Sequence, residues 1–417
     1  MSQPNRSLRV AFLLYRGNPR CGGQGVYTRH LTRELVALGH CVTVFSGPPY
    51  PELDEPVELV KVASLDLYRE PDPFRVPKLR EFTSATDVLE FALMCTAGFP
   101  EPLTFSLRAR RLLATRTADF DVVHDNQSLG RGIAGMMKDG WPVLATIHHP
   151  ITVDRELDLA HAEGWQRRLS LRRWYGFIGM QARVARQIPR VVTVSESSRR
   201  DIADQLGVSP GKIAVVPVGV DSSVFRPMPA VKKVPGRIMT TASSDVPMKG
   251  LLPLLEGLAK LRTEHDGAHL VVVGRLREGS TIPAALDRLG LNQAVRFVSG
   301  VSDQAIVDLY AEAQLAVVPS LYEGFSLPAI EAMACGVPLI ATTGGALPEV
   351  AGPSGVSALL VEPDDPGALA NAMSSLLCDE PLCLRLGAAG RRRVAERFTW
   401  PVTARATAEQ YFELLAC

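Results

Sequence analysis

The sequence has almost no net charge and no long apolar run. Its 45 lysines and arginines nearly balance 44 aspartates and glutamates, leaving a net charge of +1 over 417 residues. A chain so balanced has no general attraction to nucleic acid, and we predict no such partner. Apolar runs such as Val10 to Tyr15 are far shorter than the roughly 20 residues that span a bilayer. Because Met1 to Ser7 is polar and shows no secretory pattern, we expect a cytoplasmic protein.

Paired cysteines are also missing. The seven cysteines are odd in number and scattered, without a C-x-x-C spacing, which is typical of reduced thiols. They are Cys21, Cys41, Cys95, Cys335, Cys378, Cys383 and Cys417. The sequence therefore predicts no structural zinc site.

What is present is a repeated alternation of apolar strands and amphipathic helices. The length exceeds what one hydrophobic core usually holds, so two domains are expected. A strand at Leu8 to Tyr15, a helix from Val26 and a strand at Cys41 to Phe45 form a crossover unit, and the pattern starts again at Arg237. We predict an α/β protein with two doubly wound parallel-sheet domains, whose strand ends line a cleft.

A dense group of prolines and glycines marks the boundary between the two domains. The predicted division is a first domain over 1–218, a linker over 219–236, a second domain over 237–397 and a C-terminal helix over 398–417. The apolar face of that last helix is expected to pack back onto the first domain.

The segment from Pro319 to Pro338 carries the most chemical information. An apolar strand, Leu315 to Val318, is followed by a loop with Glu323 and by a helix that contains Glu331. Amides at a helix start suit phosphate, while carboxylates suit sugar and ribose hydroxyls. Either glutamate alone would be an ordinary helix residue, but the complete pattern favours a binding site.

Other candidate residues also follow strands or begin helices. Lys249 begins a helix, where it is either an exposed lysine or a point charge for phosphate. Gly22 and Gly23 form either a flexible connector or a place where the backbone approaches a ligand closely. His148 and His149 end one strand; His124, with Asn126 behind it, ends another.

With these residues in place, the chain resembles glycosyltransferase family 4, the retaining group 1 glycosyltransferases. Members have a GT-B fold, in which two Rossmann-like domains face each other across a cleft. The resemblance spans nearly the whole chain and is strongest over Glu323 to Pro338. It implies transfer of a hexosyl group from a UDP- or GDP-sugar to an acceptor hydroxyl, with retention of anomeric configuration. The nucleotide sugar is a co-substrate, and no cofactor is expected.

The resemblance also implies roles for individual residues. It assigns Glu323 to hydroxyls of the donor sugar, Glu331 to the ribose and His148 to the reacting region. Together with Lys249, His148 and Glu323 are the predicted catalytic residues. The strand-end residues His124, Asn126 and His149 are the predicted acceptor contacts. Family members usually carry an arginine where this chain has Ser243, so we expect Arg275 to supply the missing charge. The donor site implied in this way comprises Gly22, Gly23, Ser243, Lys249, Arg275, Glu323, Gly324, Phe325, Ser326, Leu327 and Glu331.

No metal is expected at this site. Asp119 and Asp121 have the Asp-x-Asp spacing that holds a cation in transferases of other folds, but they precede their strand and so lie at the wrong end of the sheet. The charge of the leaving group would then be met by Lys249, loop amides and the start of the Glu331 helix. The resemblance implies reaction on the front face of the sugar, with the departing phosphate helping to deprotonate the acceptor.

Several alternatives remain open at this stage. A nucleotide-sugar epimerase or a non-catalytic nucleotide-sugar-binding protein would use the same fold, whereas the absence of G-x-G-x-x-G argues against an NAD-dependent oxidoreductase. The acceptor is open, and a lipid is one class that fits. Basic and aromatic residues from Trp165 to Arg186 are consistent with peripheral contact to an anionic membrane, and equally with a helix half packed on its own domain.

Overall fold

The computed structural model describes residues 6–18, 23–160, 162, 164–242, 244, 246–277 and 279–416, with the backbone alone at 154, 157 and 160. The chain divides into two compact units. The N-terminal unit comprises Met1–Val216 together with Thr403–Cys417, and the C-terminal unit comprises Pro217–Val402.

The N-terminal unit is built on a seven-stranded sheet in the order β3-β2-β1-β4-β5-β6-β7, and all its strand pairs are parallel. Its central strands are almost wholly buried, as expected for parallel strands with helices on both faces. The strands are β1 (Arg9–Leu14), β2 (Cys41–Ser46), β3 (Glu58–Lys61), β4 (Val122–Asn126), β5 (Val143–Thr146), β6 (Arg190–Thr193) and β7 (Ile213–Val215).

Within the described residues, eight helices lie between these strands, along with short 3-10 or π turns. The helices are α1 (Gln24–Ala37), α2 (Ala85–Cys95), α3 (Glu101–Leu113), α4 (Arg131–Lys138), α5 (Thr152–Ala160), α6 (Trp165–Trp174), α7 (Ile178–Ala185) and α8 (Glu196–Asp201). Helix α2 shows why the local sequence folds this way. The Ser84 hydroxyl accepts a hydrogen bond from the Asp87 amide, and the Asp87 carboxylate accepts one from the Ser84 amide. This reciprocal capping satisfies amides that the helix leaves unpaired at its start.

The C-terminal unit repeats the architecture with six parallel strands in the order β10-β9-β8-β11-β12-β13. Its strands are β8 (Arg237–Thr241), β9 (His269–Val273), β10 (Val295–Val298), β11 (Leu315–Val318), β12 (Leu339–Thr342) and β13 (Leu359–Val361). Its helices are α9 (Leu251–Leu261), α10 (Ile282–Leu289), α11 (Asp303–Glu312), α12 (Leu327–Ala334), α13 (Leu347–Ala351), α14 (Pro366–Cys378) and α15 (Glu380–Arg397). Two parallel-sheet α/β domains were predicted from the sequence, and that prediction is confirmed.

The last helix, α16 (Trp400–Leu415), contributes most of its length to the N-terminal unit. Within that unit Tyr411 is fully buried, and its hydroxyl lies 2.6 Å from Nδ1 of His124. Arg190 donates a hydrogen bond of 2.6 Å from Nε to the side-chain oxygen of Gln410. The C-terminal segment is thereby fixed to the strands of the N-terminal unit. None of the described helices combines the length and the apolarity needed to span a bilayer.

Candidate active site

Two loops of the C-terminal unit meet at the carboxyl ends of the neighbouring strands β8 and β11. The amide of Leu321 donates a 2.8 Å hydrogen bond to the carbonyl of Met248, which joins the loops directly. Gly250 has φ of +66°, and a Cβ at this position would lie 1.9 Å from the Pro319 carbonyl oxygen. Only glycine accommodates both the left-handed backbone and this approach. The contact fixes Lys249 next to the loop that carries Glu323.

The side chains of Lys249 and Glu323 form an ion pair at this junction. The Lys249 ammonium lies 2.7 Å from Oε1 of Glu323, and the Ser320 hydroxyl donates to the same oxygen at 2.7 Å. The Glu323 side chain is 10% exposed and that of Lys249 is 35% exposed. Across the part of the chain that the structure describes, no hydrogen bond occupies Oε2 of Glu323. One carboxylate oxygen is thus held by the protein, and the other is available to a hydroxyl group.

A third loop, which follows β12, supports Glu323 from behind. The Ala346 amide donates a 2.8 Å hydrogen bond to the Glu323 carbonyl, and a Cβ on Gly345 would lie 2.3 Å from that carbonyl oxygen. The Thr342 hydroxyl donates to the carbonyl of Ser320. The backbone around Glu323 is therefore fixed by β12 and by the loop that follows it.

Glu331 lies in α12, directly after this loop. Ser326 caps the helix by accepting a hydrogen bond from the amide of Ala329, and Leu327 is its first residue. The Glu331 side chain is half-buried, and its carboxylate has no hydrogen-bond partner within the described ranges. Burial, followed by the negative charge of Asp303, raises the pKa of Glu331 to about 7. An unsatisfied carboxylate with a raised pKa is typical of a site that awaits a polar ligand.

Arg275 lies in the loop after β9, which is tied to the loop after β8. The Ser244 hydroxyl donates to the Arg275 carbonyl at 2.9 Å and accepts from the Arg277 amide at 2.8 Å. The Arg275 side chain is exposed, and no carboxylate among the described residues forms an ion pair with it. Two cations, Lys249 and Arg275, therefore extend from loops at the carboxyl ends of adjacent strands. Gly22 and Ser243, which were also predicted for the donor site, lie outside the described residues.

The remaining predicted donor residues belong to the same loop and helix start. Gly324, Phe325, Ser326 and Leu327 connect Glu323 to α12, and the Phe325 ring packs edge-on against Phe398 at 5.9 Å. Within the described ranges no group of three or more His, Cys, Asp or Glu residues is arranged to hold a metal ion. The cluster combines two cations, a helix start and two carboxylates, a set that matches the phosphates and hydroxyls of a nucleotide sugar.

A second group of candidate residues lies in the N-terminal unit, at the carboxyl ends of β4 and β5. Nε2 of His148 lies 2.9 Å from Oδ1 of Asn126, and the His148 ring meets Tyr27 edge-on at 4.7 Å. Because Oδ1 is an acceptor, Nε2 carries the proton, so the lone pair of the neutral ring is on Nδ1. Burial, followed by the nearby His149, lowers the pKa of His148 to about 3. The ring is therefore neutral at physiological pH.

The loop after β4, which begins directly after Asn126, is strained. Gln127 and Leu129 have φ of +60° and +50° and are buried, although neither is glycine. Such conformations cost about 1–3 kcal/mol each and persist only where the surroundings enforce them. The Asp125 carboxylate does so by accepting hydrogen bonds from the Leu129 amide at 2.8 Å and the Ser128 hydroxyl at 2.5 Å.

The predicted acceptor residues are placed differently from one another. His149 is exposed, whereas Asn126 is fully buried and its amide also reaches the Thr28 hydroxyl at 3.5 Å. His124 is fully buried too, with Nδ1 on Tyr411 and Nε2 on the Thr146 hydroxyl at 2.7 Å. Both ring nitrogens of His124 are engaged inside the unit, which leaves neither for an acceptor. Gly23 is at the start of α1 with φ of +73°.

Residues that support the site were missed by the sequence analysis. Ser320 and Gly345 hold Glu323, Ser244 joins two loops, and Gln127 contacts the backbone around His148. The Gly344-Gly345 pair after an apolar strand was a detectable signal. The other three contacts depend on strand order and loop conformation, which short-range patterns do not reveal.

The fold consists of two all-parallel α/β units. One of them carries Glu323 and Glu331 after β11 and Lys249 after the neighbouring strand β8. Together these features define a glycosyltransferase of the GT-B class. Residues 21–224 match the family described as Glycosyltransferase Family 4, and residues 229–393 match the family described as Glycosyl transferases group 1. The MMP α-(1→4)-mannosyltransferase of Mycolicibacterium hassiacum is 51% identical over 410 residues, which cover 98% of this chain and 99% of that protein. The chain belongs to glycosyltransferase family 4, as predicted.

Solved structures show the same fold. Sucrose-phosphate synthase from Thermosynechococcus elongatus has a TM-score of 0.71 at 23% identity, covering 99% of this chain and 100% of that one. Anabaena HepE in complex with UDP has a TM-score of 0.69 at 17% identity, covering 97% of this chain and 100% of that one. At these identities the likeness concerns the fold alone, and the predicted GT-B fold class is confirmed.

Proposed function

We propose that this glycosyltransferase moves a mannosyl group from a nucleotide-diphosphate mannose to a hydroxyl of a carbohydrate acceptor, with retention of configuration. The similarity to a named α-(1→4)-mannosyltransferase, at 51% identity over 98% of the chain, carries the choice of sugar and linkage. Nucleotide mannoses are α-linked, so an α-linked product requires retention. The UDP complex of HepE supports a nucleotide-linked donor but leaves the base, uridine or guanosine, to experiment.

The C-terminal unit supplies the donor site in this proposal. The free Oε2 of Glu323 accepts from a hydroxyl of the mannosyl group, while Oε1 stays on Lys249 and Ser320. Lys249 and Arg275 lie against the diphosphate, and the unsatisfied Glu331 accepts from the ribose hydroxyls. As the glycosidic bond breaks, negative charge grows on the departing phosphate. The fixed cations and the amides at the start of α12 stabilise that charge without having to reorganise.

The N-terminal unit supplies the acceptor site. His148 contributes a neutral ring whose Nδ1 accepts a hydrogen bond from a hydroxyl at the reacting region. A ring with a pKa of about 3 is a weak base, so it orients the hydroxyl rather than removing its proton. We assign the proton to the departing phosphate on the front face of the sugar. Exposed His149 is a further acceptor contact in this proposal.

The experiment that tests the proposal is a donor screen. Purified protein is incubated with GDP-mannose, UDP-mannose, GDP-glucose or UDP-glucose, each with and without an α-(1→4)-linked mannose oligosaccharide. We expect release of nucleotide diphosphate with one of the mannose donors, dependent on the acceptor, and an oligosaccharide one α-mannose longer by mass and NMR. Donor consumption without an acceptor would indicate an epimerase or hydrolase, and binding without turnover would indicate a non-catalytic protein.

Peripheral membrane contact through α6 is a second proposal, because the exposed residues of that helix favour it. Trp165 is 72% and Leu169 is 60% exposed, and the exposed Arg168 and Arg172 lie on the same helix. Exposed aromatic and basic residues together suit an anionic lipid surface. In a flotation assay at low salt, we expect the protein to rise with phosphatidylglycerol vesicles. The double variant Trp165→Ser, Leu169→Ser should remain in the bottom fraction as unbound protein. Equal behaviour of both proteins would end this proposal.

A further inference from the structure

The carboxamide of Gln127 makes two hydrogen bonds to the backbone around His148. Its Oε1 accepts from the His148 amide at 2.8 Å, and its Nε2 donates to the His149 carbonyl at 2.8 Å. One side chain therefore pairs with both sides of a two-residue backbone segment, as a neighbouring strand would. A carboxamide carries a donor and an acceptor at this spacing.

The strained loop after β4 presents Gln127 in this position. The left-handed conformation of Gln127 turns its side chain toward the segment after β5, instead of letting β4 continue. Gln181, which is also buried, holds the loop from the other side by donating to the carbonyls of Gln127 and Ser128 at 3.3 and 3.2 Å. The loop is thus fixed independently of the two bonds that its glutamine makes.

The neighbouring residue completes the arrangement at the ring of His148. Asn126 accepts from Nε2 of the imidazole, while Gln127 fixes the backbone that bears it. Nδ1 has no bonded partner in the described part of the chain. Two consecutive residues therefore set the tautomer and the position of His148, and one ring nitrogen remains available.

We propose that Gln127 is a positioning residue of the transfer reaction, which acts by holding the His148–His149 backbone so that Nδ1 of His148 points at the reacting hydroxyl. This inference rests on the proposed function, in which His148 contacts substrate. Small displacements of a group that orients a reacting atom are enough to lower turnover strongly. Gln127 itself contacts backbone, not substrate.

The kinetic test compares two buried glutamines of the same loop. Gln127→Met keeps the length of the side chain and removes both bonds to the His148–His149 backbone. We expect its kcat to fall about tenfold or more, with the donor KM within about twofold of wild type. Gln181→Met also removes two hydrogen bonds from the loop, yet leaves those to His148 and His149. It should lower the melting temperature by a similar amount and keep kcat within about threefold.

A double variant shows whether the effect passes through the imidazole. In the His148→Ala background, adding Gln127→Met should change kcat by less than twofold, because the ring that Gln127 positions is already absent. If the decreases in kcat caused by the two substitutions multiplied in the double variant, Gln127 would have a general structural role and the inference would be overturned. Should Gln127→Met fail to fold, Gln127→Asn tolerates the left-handed backbone but is one methylene too short to make both bonds, and the same comparison applies.

A spectroscopic readout separates this inference from the proposed function. In protein labelled with ¹⁵N-histidine, the His148 signals of the wild type should report a single Nε2-protonated tautomer. Gln127→Met should broaden or shift them, and Gln181→Met should not. Unchanged His148 signals in Gln127→Met would overturn the inference even in an active enzyme. If the His148 signals broadened or shifted only in Gln127→Met, the inference would be supported even if no mannose donor were turned over.

Discussion

The two units hold their candidate residues by different means. In the C-terminal unit, Glu323 is held by an ion pair and by backbone contacts from loops on adjacent strands, and glycines make those contacts possible. In the N-terminal unit, His148 is held by buried carboxamides on a loop of strained, non-glycine residues. The first arrangement presents charges to a ligand, whereas the second presents a neutral ring. The difference is the one that the proposed function requires, with a charged donor in the C-terminal unit and an uncharged acceptor hydroxyl in the N-terminal unit.

Removing the lysine of the C-terminal unit should have the largest effect. Lys249→Met takes away the cation that the proposed function places beside the leaving group, and it leaves the Glu323 carboxylate without its ion-pair partner. We expect kcat/KM to fall about 10²–10³-fold, the range seen when one preorganised donor is lost. Steady-state kinetics with the best mannose donor would measure this.

The matched control is Lys260→Met, which removes an exposed lysine from the end of α9 in the same unit. It should leave kcat/KM unchanged. If both variants behaved like wild type, the donor site would lie elsewhere and the contrast between the units would be lost.

Gly250 tests whether the close approach of two loops matters beyond backbone conformation. Gly290 has nearly the same φ, +67° against +66°, but a Cβ there has nothing within 4 Å. We expect Gly290→Ala to cost about 1 kcal/mol of stability from the left-handed backbone alone. Gly250→Ala should cost at least ~2 kcal/mol more, because its Cβ would overlap the Pro319 carbonyl.

Chemical denaturation of the two variants would measure the difference, and activity would show its consequence. Gly250→Ala should also lower turnover, because Lys249 is the adjacent residue and would move with the displaced loop. Equal stability losses at both glycines would mean that the contact between the loops is easily relaxed.

Glu331 should give the donor affinity a pH dependence. With a pKa of about 7 the carboxyl is mostly protonated at pH 6 and mostly ionised at pH 8. Ribose hydroxyls donate to the ionised form, so the donor KM should fall as pH rises through about 7. A sugar nucleotide has no ionisation of its diphosphate in this range, so the change belongs to the protein.

Two variants sharpen this prediction. Glu331→Gln should show a flat profile and, at pH 8, a donor KM about tenfold or more above wild type, as the loss of a charge-assisted hydrogen bond implies. Asp303→Asn removes a nearby negative charge and should move the wild-type transition to lower pH. A pH-dependent KM that survives in Glu331→Gln would assign the titration to another group.

The sequence predicts the C-terminal site more completely than the N-terminal one, for a physical reason. Glu323, Gly324 and Glu331 lie within one strand, loop and helix, where local patterns fix the geometry. The strand order that makes β8 and β11 neighbours is a long-range property, so the sequence did not predict the ion pair between Lys249 and Glu323.

The N-terminal residues depend on contacts that no local pattern contains. The position of His124 at a strand end predicted an acceptor contact, but Tyr411, far along the chain, packs on its ring and bonds to Nδ1. Left-handed conformations at Gln127 and Leu129 have no sequence signature, because neither is a glycine. The role of Gln127 therefore emerged only from the folded structure.

Removing divalent cations should have the smallest effect of all. In the proposed function, Lys249, Arg275 and the amides at the start of α12 meet the charge on the departing diphosphate, so a metal adds little. We expect initial rates in excess EDTA to stay within about twofold of those with Mg²⁺. If EDTA stopped turnover and Mg²⁺ restored it, the charges of the C-terminal unit would be insufficient by themselves. Comparing Lys249→Met with and without Mg²⁺ sharpens the result, because a metal that substitutes for the ammonium would rescue that variant more than the wild type.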